Sequence, residues 1–543
     1  MRRPGRAALL TAAAALSVAG GSFAGPAAVA APAAVAAPAA SPATVSWTVY
    51  HGDPAGSGAG TLPGPVDTSS PAWTSPRLDG HLYGEPLVSG GRVFVATEND
   101  TVYALSASTG AVIWSRHLAT PVPSSSLPCG DISPTVGITG TPVIDPARGE
   151  IFVVADEQVN GKPAHVLAGL STATGTVRLT QNVDPPGAYT PALLQRTGLA
   201  LTDGRVVFGY GGNDGDCSTY RGRVVSVPEG GGKAAIFTLD SAPGQSQGAV
   251  WMGGAAPTVD SHGNVWVSVG NGSVHDPDRA YDHSDSALEL SPQMHLEQFF
   301  APDTWAADNA SDRDMSTAPA LLPDGRVVLA GKSRIVFLLN AAHLGGIGGQ
   351  QAKLGPVCDD DIDGGMATMG STVYLPCLSG IVAVSAAGPA PGLRVLWTSQ
   401  IGGGPPIVAG GLVWSISGDG TLSGIDPATG KLRQRAYIGV PANHFPTPGV
   451  GDGLLLAPSA YRVVAFRART GRAAASPSSG ATASPASQPT AGRAGARGGS
   501  GGSGGGIPPA AIGGIAAGVL ILAGGAGWLV YRRRRPGSSE PPA

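Results

Sequence analysis

The chain is patterned by short runs of alternating apolar and polar residues, the period of β-strands rather than of helices. The clearest run is TVYALSASTGAVIWSRHL at residues 101–118. It predicts a strand, a tight turn that ends at Gly110, where glycine supplies the positive φ of a tight bend, and a second strand through Trp114. Residues 84–99 add two further strands, which break at Gly90 and Gly91. Residues 84–118 therefore predict one four-stranded antiparallel unit.

Similar units recur along the chain at irregular spacing. They occupy residues 140–183, 190–239, 254–302, 317–344, 364–401, 405–439 and 445–469. The last unit lacks a fourth strand, and the early segment around Trp73 looks like the Trp114 segment. We expect this early strand to complete the last unit and close a ring, which removes exposed sheet edges. An open solenoid is the alternative, and the split last unit favours the ring.

The predicted fold is all-β: a β-propeller of about eight four-stranded antiparallel blades, plus one C-terminal transmembrane helix. The chain has 543 residues with 83 Gly and 48 Pro, and only 13% of its residues are charged. This composition favours turns and strands over helices, whose surfaces are rich in charge. The formal net charge of −3 gives no electrostatic footprint for nucleic acid, so no nucleic-acid partner is expected.

The N-terminus has the pattern of a secretory signal over residues 1–37. Arg2, Arg3 and Arg6 form a basic start, residues 7–19 form an apolar run, and Ala28-Val29-Ala30 suits cleavage. The pattern predicts export of residues 45–470, the expected propeller.

The C-terminus has the pattern of a single membrane anchor. Residues 508–531 predict a transmembrane helix, and four arginines open a short basic tail at 532–543. Residues 471–506, rich in Ser, Pro, Gly and Ala, predict a disordered stalk. The expected protein is single-pass in the cell membrane, with the propeller extracellular and the C-terminus cytoplasmic.

The four cysteines would then lie in an oxidising compartment, where disulfides form. Cys358 and Cys377 flank a single strand region and make the favoured pair, which leaves Cys129 with Cys217. Four cysteines allow three pairings, and the sequence alone does not fix which one forms.

The pattern VYAL-x-A-x-TG-x-x-x-W at residues 102–114, echoed by GIDPATG at 424–430, resembles the pyrroloquinoline-quinone (PQQ) repeat. Quinoprotein alcohol dehydrogenases carry this repeat, as does the propeller lipoprotein of the outer-membrane barrel-assembly machinery. The resemblance extends over roughly residues 47–469. It implies a propeller in which the glycine makes the turn and the tryptophan packs between neighbouring blades. It leaves function open, because enzymes and binding scaffolds share this fold.

Residues 248–339 also resemble quinoprotein dehydrogenases in the order of their segments. This resemblance implies that Trp251 stacks on the quinone and that Lys332 lies near the quinone oxygens. It implies calcium binding by Asn271 with Asp214 or Asp216, and Asp285 as the catalytic base.

The chain also departs from that family. No two cysteines are adjacent, the position of the calcium-binding glutamate is not cleanly filled, and no Cys-x-x-Cys-His is present to attach haem. Each candidate has a structural interpretation as well: Trp251 as blade packing, Asn271 as a turn residue, Asp285 as a turn cap and Lys332 as a solvated hairpin residue. We therefore assign no cofactor from the sequence, and PQQ with calcium belongs to the alternative function.

Two polar segments carry no assigned chemistry. Residues 359–364, DDDIDG, open like a calcium loop, but Gly370 stands where an EF-hand needs a glutamate, so an acidic loop between blades is expected. Residues 305–314, WAADNASDRD, are too polar for a strand and predict a loop on one face of the ring.

The sequence thus favours a ligand-binding or scaffolding module with a protein or glycan ligand at the cell surface. The alternative is a PQQ- and calcium-dependent dehydrogenase that oxidises an alcohol.

Overall fold

A computed structural model of the protein describes residues 46–469, except His444. These residues form eight blades of mainly four-stranded antiparallel sheet, which confirms the predicted propeller. The predicted signal (1–37), stalk (471–506), transmembrane helix (508–531) and tail (532–543) lie outside the described residues. Within the described residues, no helix is long and apolar enough to cross a membrane.

Blades 1 to 4 follow one another along the chain, each built from four consecutive strands. Blade 1 contains Leu87–Ser89, Arg92–Thr97, Thr101–Ser106 and Val112–His117; blade 2 contains Val143–Asp145, Glu150–Val159, Lys162–Ser171 and Val177–Asn182. Blade 3 contains Ala200–Thr202, Arg205–Gly212, Arg223–Pro228 and Ala235–Thr238; blade 4 contains Thr258–Val259, Val265–Val269, Ser286–Leu290 and Leu296–Ala301.

Blades 5 to 8 repeat the arrangement, and the last blade borrows its outer strand. Blade 5 contains Ala320–Leu321, Arg326–Leu329, Val336–Asn340 and Ala352–Leu354; blade 6 contains Ala367–Met369, Thr372–Cys377, Gly380–Ser385 and Arg394–Ser399. Blade 7 contains Ile407–Ala409, Leu412–Ile416, Thr421–Ile425 and Leu432–Tyr437; blade 8 contains Gly449–Gly451, Leu454–Ser459, Arg462–Arg467 and the N-terminal Trp73–Thr74.

The remaining short elements lie outside the four-strand pattern. They are the strands Ala59–Gly60, Val122–Pro123, Thr135–Val136, Leu193–Leu194 and Gly346–Ile347, the α-helix Trp305–Asn309, and the 3-10 turns Ser124–Ser126, Thr190–Ala192 and Met252–Gly254.

Closure of the ring follows the predicted exchange of strands between the two ends of the propeller. Trp73 pairs with Ala465 and Thr74 with Val464, antiparallel to the third strand of blade 8. The exchange covers the strand edge that blade 8 would otherwise expose. The alternative of an open solenoid is excluded.

The inner strands are more apolar than simple alternation requires. Arg92–Thr97 and Thr101–Ser106 are buried at most positions, whereas the outer strand Val112–His117 is exposed at most positions. Neighbouring blades cover both faces of the inner strands, so burial there is nearly continuous. The fourth strand of this blade is the one that mainly borders solvent.

Tryptophans of the outer strands pack on turn glycines of the following blade, as the repeat resemblance implies. A Cβ built on the glycine would lie within 2.4–2.6 Å of the indole in the pairs Trp73–Gly110, Trp114–Gly175 and Trp397–Gly430. Each indole also donates a hydrogen bond to a backbone carbonyl of that blade, at Ala107, Thr172 and Pro427 respectively. The motif therefore joins neighbouring blades.

Residues 47–60 run along the centre of the ring. Their backbone hydrogen-bonds to the first strands of five blades, at Val88, Ile144, Val259, Thr368 and Val408. The segment is also held by Glu85, which accepts hydrogen bonds from Trp47 Nε1 at 2.6 Å and from the His51 amide at 2.8 Å. We call residues 47–60 the axial segment.

Two sequence expectations differ from the structure around blade 5. The unit predicted at 317–344 continues to Leu354, because the chain first adds Gly346–Ile347 as a parallel strand to blade 4. The segment 305–314, predicted as a loop, contains the helix Trp305–Asn309, whose Trp305 and Ala306 are buried. Its apolar face packs against the protein, which the polar composition of the segment concealed.

Both favoured disulfides are present. Cys129 bonds to Cys217 and Cys358 to Cys377, with Cα–Cα distances of 6.2 and 6.0 Å. The first joins a long connection between blades 1 and 2 to a loop of blade 3.

Candidate functional site

The candidate residues lie on one face of the ring, which we call the upper face. Here the first strand of each blade begins and the second strand ends, because the two are antiparallel neighbours. Asn271 and Lys332 follow the second strands of blades 4 and 5, and Trp251 precedes the first strand of blade 4. Loops from blades 3, 4 and 5 therefore build a shared site.

A lysine between two carboxylates forms the charged centre of the site. Lys332 Nζ lies 2.6 Å from Asp314 Oδ2 and 3.1 Å from Asp312 Oδ1. Burial disfavours the ammonium form, yet the charges of Asp314 and Asp312 raise the pKa of Lys332 above its usual range. Its side chain is only 19% exposed, so the interpretation of Lys332 as a solvated hairpin residue is wrong.

The Trp251 indole borders this charged centre. Lys332 Nζ lies 5.1 Å from the centre of the ring, within the range of a cation–π interaction. The ring edge packs so closely on Gly211 that a Cβ there would lie 2.9 Å from it. Trp251 thus packs against blade 3 and also contributes a half-buried ring to the site.

Asn271 connects the charged centre to the loop of blade 3. Its backbone amide donates to Asp314 Oδ1 at 2.9 Å, and its side-chain amide donates to Asp216 Oδ2 at 3.0 Å. Asp216 also accepts a hydrogen bond from the Tyr220 hydroxyl at 2.5 Å. Burial raises the pKa of Asp216 above its usual range. Of the two aspartates that the resemblance offered here, Asp216 joins this network, whereas Asp214 lies exposed on the same loop.

Asp285 lies behind the charged centre. It is fully buried, and its Oδ1 accepts a hydrogen bond from the Met315 amide at 3.1 Å. Burial, followed by the charge of Asp314, raises the pKa of Asp285 well above its ordinary value. Its observed contact holds the backbone beside Asp314, and its catalytic role stays a prediction.

Asp312, Asp314 and Tyr220 were not identified from the sequence. Asp314 contacts Lys332 and Asn271, so it connects the residues that were identified. The available signal was the polar segment 305–314, which ends at Asp314 just before blade 5. Its polar residues suggested a surface loop, and the ion pair to a lysine 18 positions later is set by the tertiary fold.

A disulfide borders the site on the side of blade 3. Cys217 follows Asp216 directly, and its amide donates to Cys129 Sγ at 3.4 Å. The bond fixes the loop that presents the Asp216 carboxylate. It joins cysteines 88 positions apart in the sequence.

The side chains at this site are of the chemical types that bind calcium and a planar ligand. The Asn271 side-chain nitrogen lies 3.0 Å from Asp216 Oδ2 and 3.4 Å from the Tyr220 hydroxyl, so a rotated amide would bring three hard oxygen atoms together. The Trp251 ring offers a surface for a flat group. Within the described part of the chain, however, no group of three or more His, Cys, Asp or Glu side chains is arranged to hold a metal.

Several solved structures share the fold of this chain. Quinohemoprotein alcohol dehydrogenase from Comamonas testosteroni is 16% identical with a TM-score of 0.59, covering 79% of this chain and 81% of that protein. Quinohemoprotein alcohol dehydrogenase ADHIIG from Pseudomonas putida HK5 is 15% identical with a TM-score of 0.59, covering 82% of each chain. A europium-containing methanol dehydrogenase is 13% identical with a TM-score of 0.57, covering 78% and 98%. At these identities the likeness establishes the fold alone.

No curated protein sequence matches the chain. The sequence model of the family described as outer membrane protein assembly factor BamB matches residues 34–285 and 350–500, more than half of the chain. The match covers most of the propeller, including the repeats with the Trp–Gly contacts between blades. The chain therefore belongs to this family of PQQ-like repeat β-propellers.

Proposed function

We propose that the protein is a binding module whose ligand is a glycan held on the upper face around Trp251. The observation that carries the proposal is a half-buried indole beside carboxylates, an amide and an ammonium group within one network. An aromatic ring packs on the apolar face of a sugar, while carboxylates and amides hydrogen-bond its hydroxyls. Asp314, Asp216 and Asn271 supply such groups here.

The same proposal places the propeller outside the cell, tethered by a stalk to one membrane helix. Its support is the signal-like start and the apolar, arginine-flanked end of the sequence. Two disulfides with no free cysteine among the described residues suit an oxidising compartment.

The experiment is a screen of the purified full chain against an array of defined neutral and acidic oligosaccharides. We expect at least one oligosaccharide to be retained by the wild-type protein and lost on Trp251→Ala. Tyr437→Ala is the matched control, because Tyr437 is an aromatic side chain 71% exposed on the outer strand of blade 7. Retention that is equal for wild type and Trp251→Ala would contradict the proposed site.

The second candidate is a quinoprotein dehydrogenase, favoured by one specific observation. Trp251, Asn271, Asp216 and Lys332, identified from their order in the sequence, contribute to one site. In this function Trp251 would support the quinone, Lys332 would lie near its oxygens, and Asp216 with Asn271 would hold calcium. PQQ, when bound, supplies the two-electron acceptor for alcohol oxidation.

A second assay separates the two candidates. PQQ with calcium is added to the purified chain, and quinone absorbance and dye-linked alcohol oxidation are recorded. Turnover that disappears in Asp285→Asn or Trp251→Ala would establish the enzyme. Absence of quinone binding, together with glycan retention, would support the binding module.

A further inference from the structure

Arg196 is a buried cation near the ring axis with an open hydrogen-bonding position. It precedes the first strand of blade 3 on the upper face and is 8% exposed. Its Nη1 donates to the Thr139 carbonyl at 3.0 Å, whereas its Nη2 is buried without a hydrogen-bond partner among the described residues. A buried guanidinium with unmet donors is costly, so the protein gains when an anion completes the shell.

The surroundings of Arg196 are built to receive a guanidinium. Gly254, at φ +83°, packs directly against the guanidinium, and a Cβ at this position would lie 2.4 Å from Nη1 and 3.0 Å from Nη2. The Tyr83 ring lies on another side, with its centre 5.7 Å from Cζ. Beside Tyr83, the half-buried Leu127 and the buried Ile132 and Leu194 form an apolar cluster. These neighbours hold the guanidinium in place but give Nη2 no hydrogen-bond acceptor.

Two other arginines of the same propeller, Arg205 and Arg433, have hydrogen-bond acceptors for their guanidinium groups. Arg205 donates to Ser226 Oγ at 2.6 Å and to the Ser226 carbonyl at 2.7 Å. Arg433 donates to Asp426 Oδ2 through both Nε and Nη2. For Arg196, the nearby carboxylate is that of the exposed Asp131, which acts through its charge, with no hydrogen bond or ion pair between the two in the described part of the chain. Arg196 differs from these arginines in lacking a bound acceptor at Nη2.

We propose that Arg196 is the anchor of a separate anion site that takes a carboxylate group, at the axis of the upper face. A planar carboxylate carries the single negative charge that the guanidinium lacks, and its oxygens match the Nη2 hydrogens. Because Nη2 is buried, this site requires the half-buried Tyr83 side chain to move when the carboxylate binds. The Trp251–Gly254 turn separates this site from Lys332, since Gly254 packs on Arg196 while Trp251 borders Lys332.

The test uses the purified full chain and acetate as the probe. Heat of binding and melting temperature are measured in sodium acetate against sodium chloride at equal ionic strength, with inorganic phosphate as a parallel arm. We expect acetate to bind and to raise the melting temperature, and phosphate, which is larger, to do neither. Arg196→Met should weaken acetate binding by at least about tenfold, the loss expected for a hydrogen bond to a charged group.

Three further variants keep the result interpretable. Without acetate, Arg196→Met should be at least as stable as wild type, because it removes an uncompensated buried charge. Arg205→Met, the matched control, should lose stability and keep the acetate response. Asp131→Asn should tighten acetate binding by removing a competing carboxylate, and Trp251→Ala should leave acetate binding unchanged, which separates this site from the proposed glycan site.

Two results would overturn the proposal. In the first, acetate neither binds to the wild-type protein nor raises its melting temperature, and Arg196→Met is less stable than wild type. Arg196 would then be a structural residue. The other is a loss of stability in Asp131→Asn with no gain in acetate binding, which would make Asp131 the partner of Arg196 in solution.

Discussion

Lys332 and Asp314 form a charged pair that is nearly closed to solvent at the upper face. Lys332 Nζ lies 2.6 Å from Asp314 Oδ2, and the Asp314 side chain is 1% exposed. A buried pair costs desolvation energy that well-packed apolar residues would not incur. The pair lies beside the half-buried Trp251 indole, within the site proposed for a polar ligand.

Loss of the lysine charge should leave a buried carboxylate without its partner. Lys332→Met is expected to destabilise the fold by about 3 kcal/mol, the usual cost of breaking one side of a buried pair. Lys353→Met is the matched control, since Lys353 is 53% exposed and 3.7 Å from Asp303, and it should change stability by less than about 1 kcal/mol. Urea unfolding measures both, and equal small effects would show that the pair is solvated.

Two buried titratable residues connect the axial segment to the ring. Burial raises the pKa of Glu85 from its ordinary 4.5 to about 8, and burial lowers the pKa of His51 from 6.5 to about 4. Between pH 4.5 and 8, folded Glu85 holds a proton that the unfolded chain releases, so stability falls as pH rises through this window. Between pH 6.5 and 4, His51 binds a proton in the unfolded chain but stays neutral in the folded state, so its contribution to stability falls as the pH drops.

The contributions of these two residues to stability should nearly cancel between about pH 4.5 and 6.5, and the contribution of Glu85 should be lost as the pH rises from there to about 8. Glu85→Gln should flatten the decline between pH 6 and 8, because the amide is neutral throughout and keeps an oxygen acceptor for Trp47. Melting temperatures recorded at half-unit steps provide the measurement. An unchanged slope in Glu85→Gln would show that Glu85 is ionised in the folded protein.

At the scale of elements, the contact between blades rests on a tryptophan against a turn glycine. The three pairs observed share an indole N–H···O bond to the following blade and a glycine at positive φ that leaves room for the ring. The glycine is needed twice, for its conformation and for its missing side chain.

Two glycines of blade 2 have similar conformations, but only one of them also needs to lack a side chain. Gly175 (φ +68°) lies against Trp114, with a built Cβ 2.6 Å from the ring, whereas Gly161 (φ +75°) has nothing within 4 Å. Gly161→Ala should cost about 1 kcal/mol, from backbone strain alone. Gly175→Ala should cost about 1–3 kcal/mol more, because the ring must move. Equal losses in denaturant unfolding would show that blade contact tolerates displacement of the tryptophan.

Much of this architecture could be predicted from local sequence. The strand–turn–strand of residues 101–118, the pairing of the Trp73 strand with blade 8 and both disulfides were predicted, because each leaves a turn, aromatic or cysteine signal. The fourth strand of blade 5 was missed, since Ala352–Leu354 is three residues long and follows an insertion. Asp314 and Tyr220 were missed because their roles come from partners on other loops, and Arg196 lies in no motif at all.

In the whole molecule, the N-terminal part of the propeller contacts the ring both at its axis and at its periphery. Residues 47–60 bond to first strands around the axis, and Trp73–Thr74 completes blade 8 at the periphery. The family and the fold are established for this chain, and the proposed function rests on the loop residues around Trp251.

The most direct test of the proposed glycan site is the dissociation constant of an array-selected oligosaccharide, measured for the wild-type chain and for Trp251→Ala. We predict that Trp251→Ala weakens binding by at least about tenfold, the loss typical of an aromatic anchor, and that Tyr437→Ala leaves it unchanged. Equal constants for wild type and Trp251→Ala would rule out the Trp251 site, and no retained oligosaccharide together with PQQ-dependent alcohol oxidation would rule out the glycan-binding function.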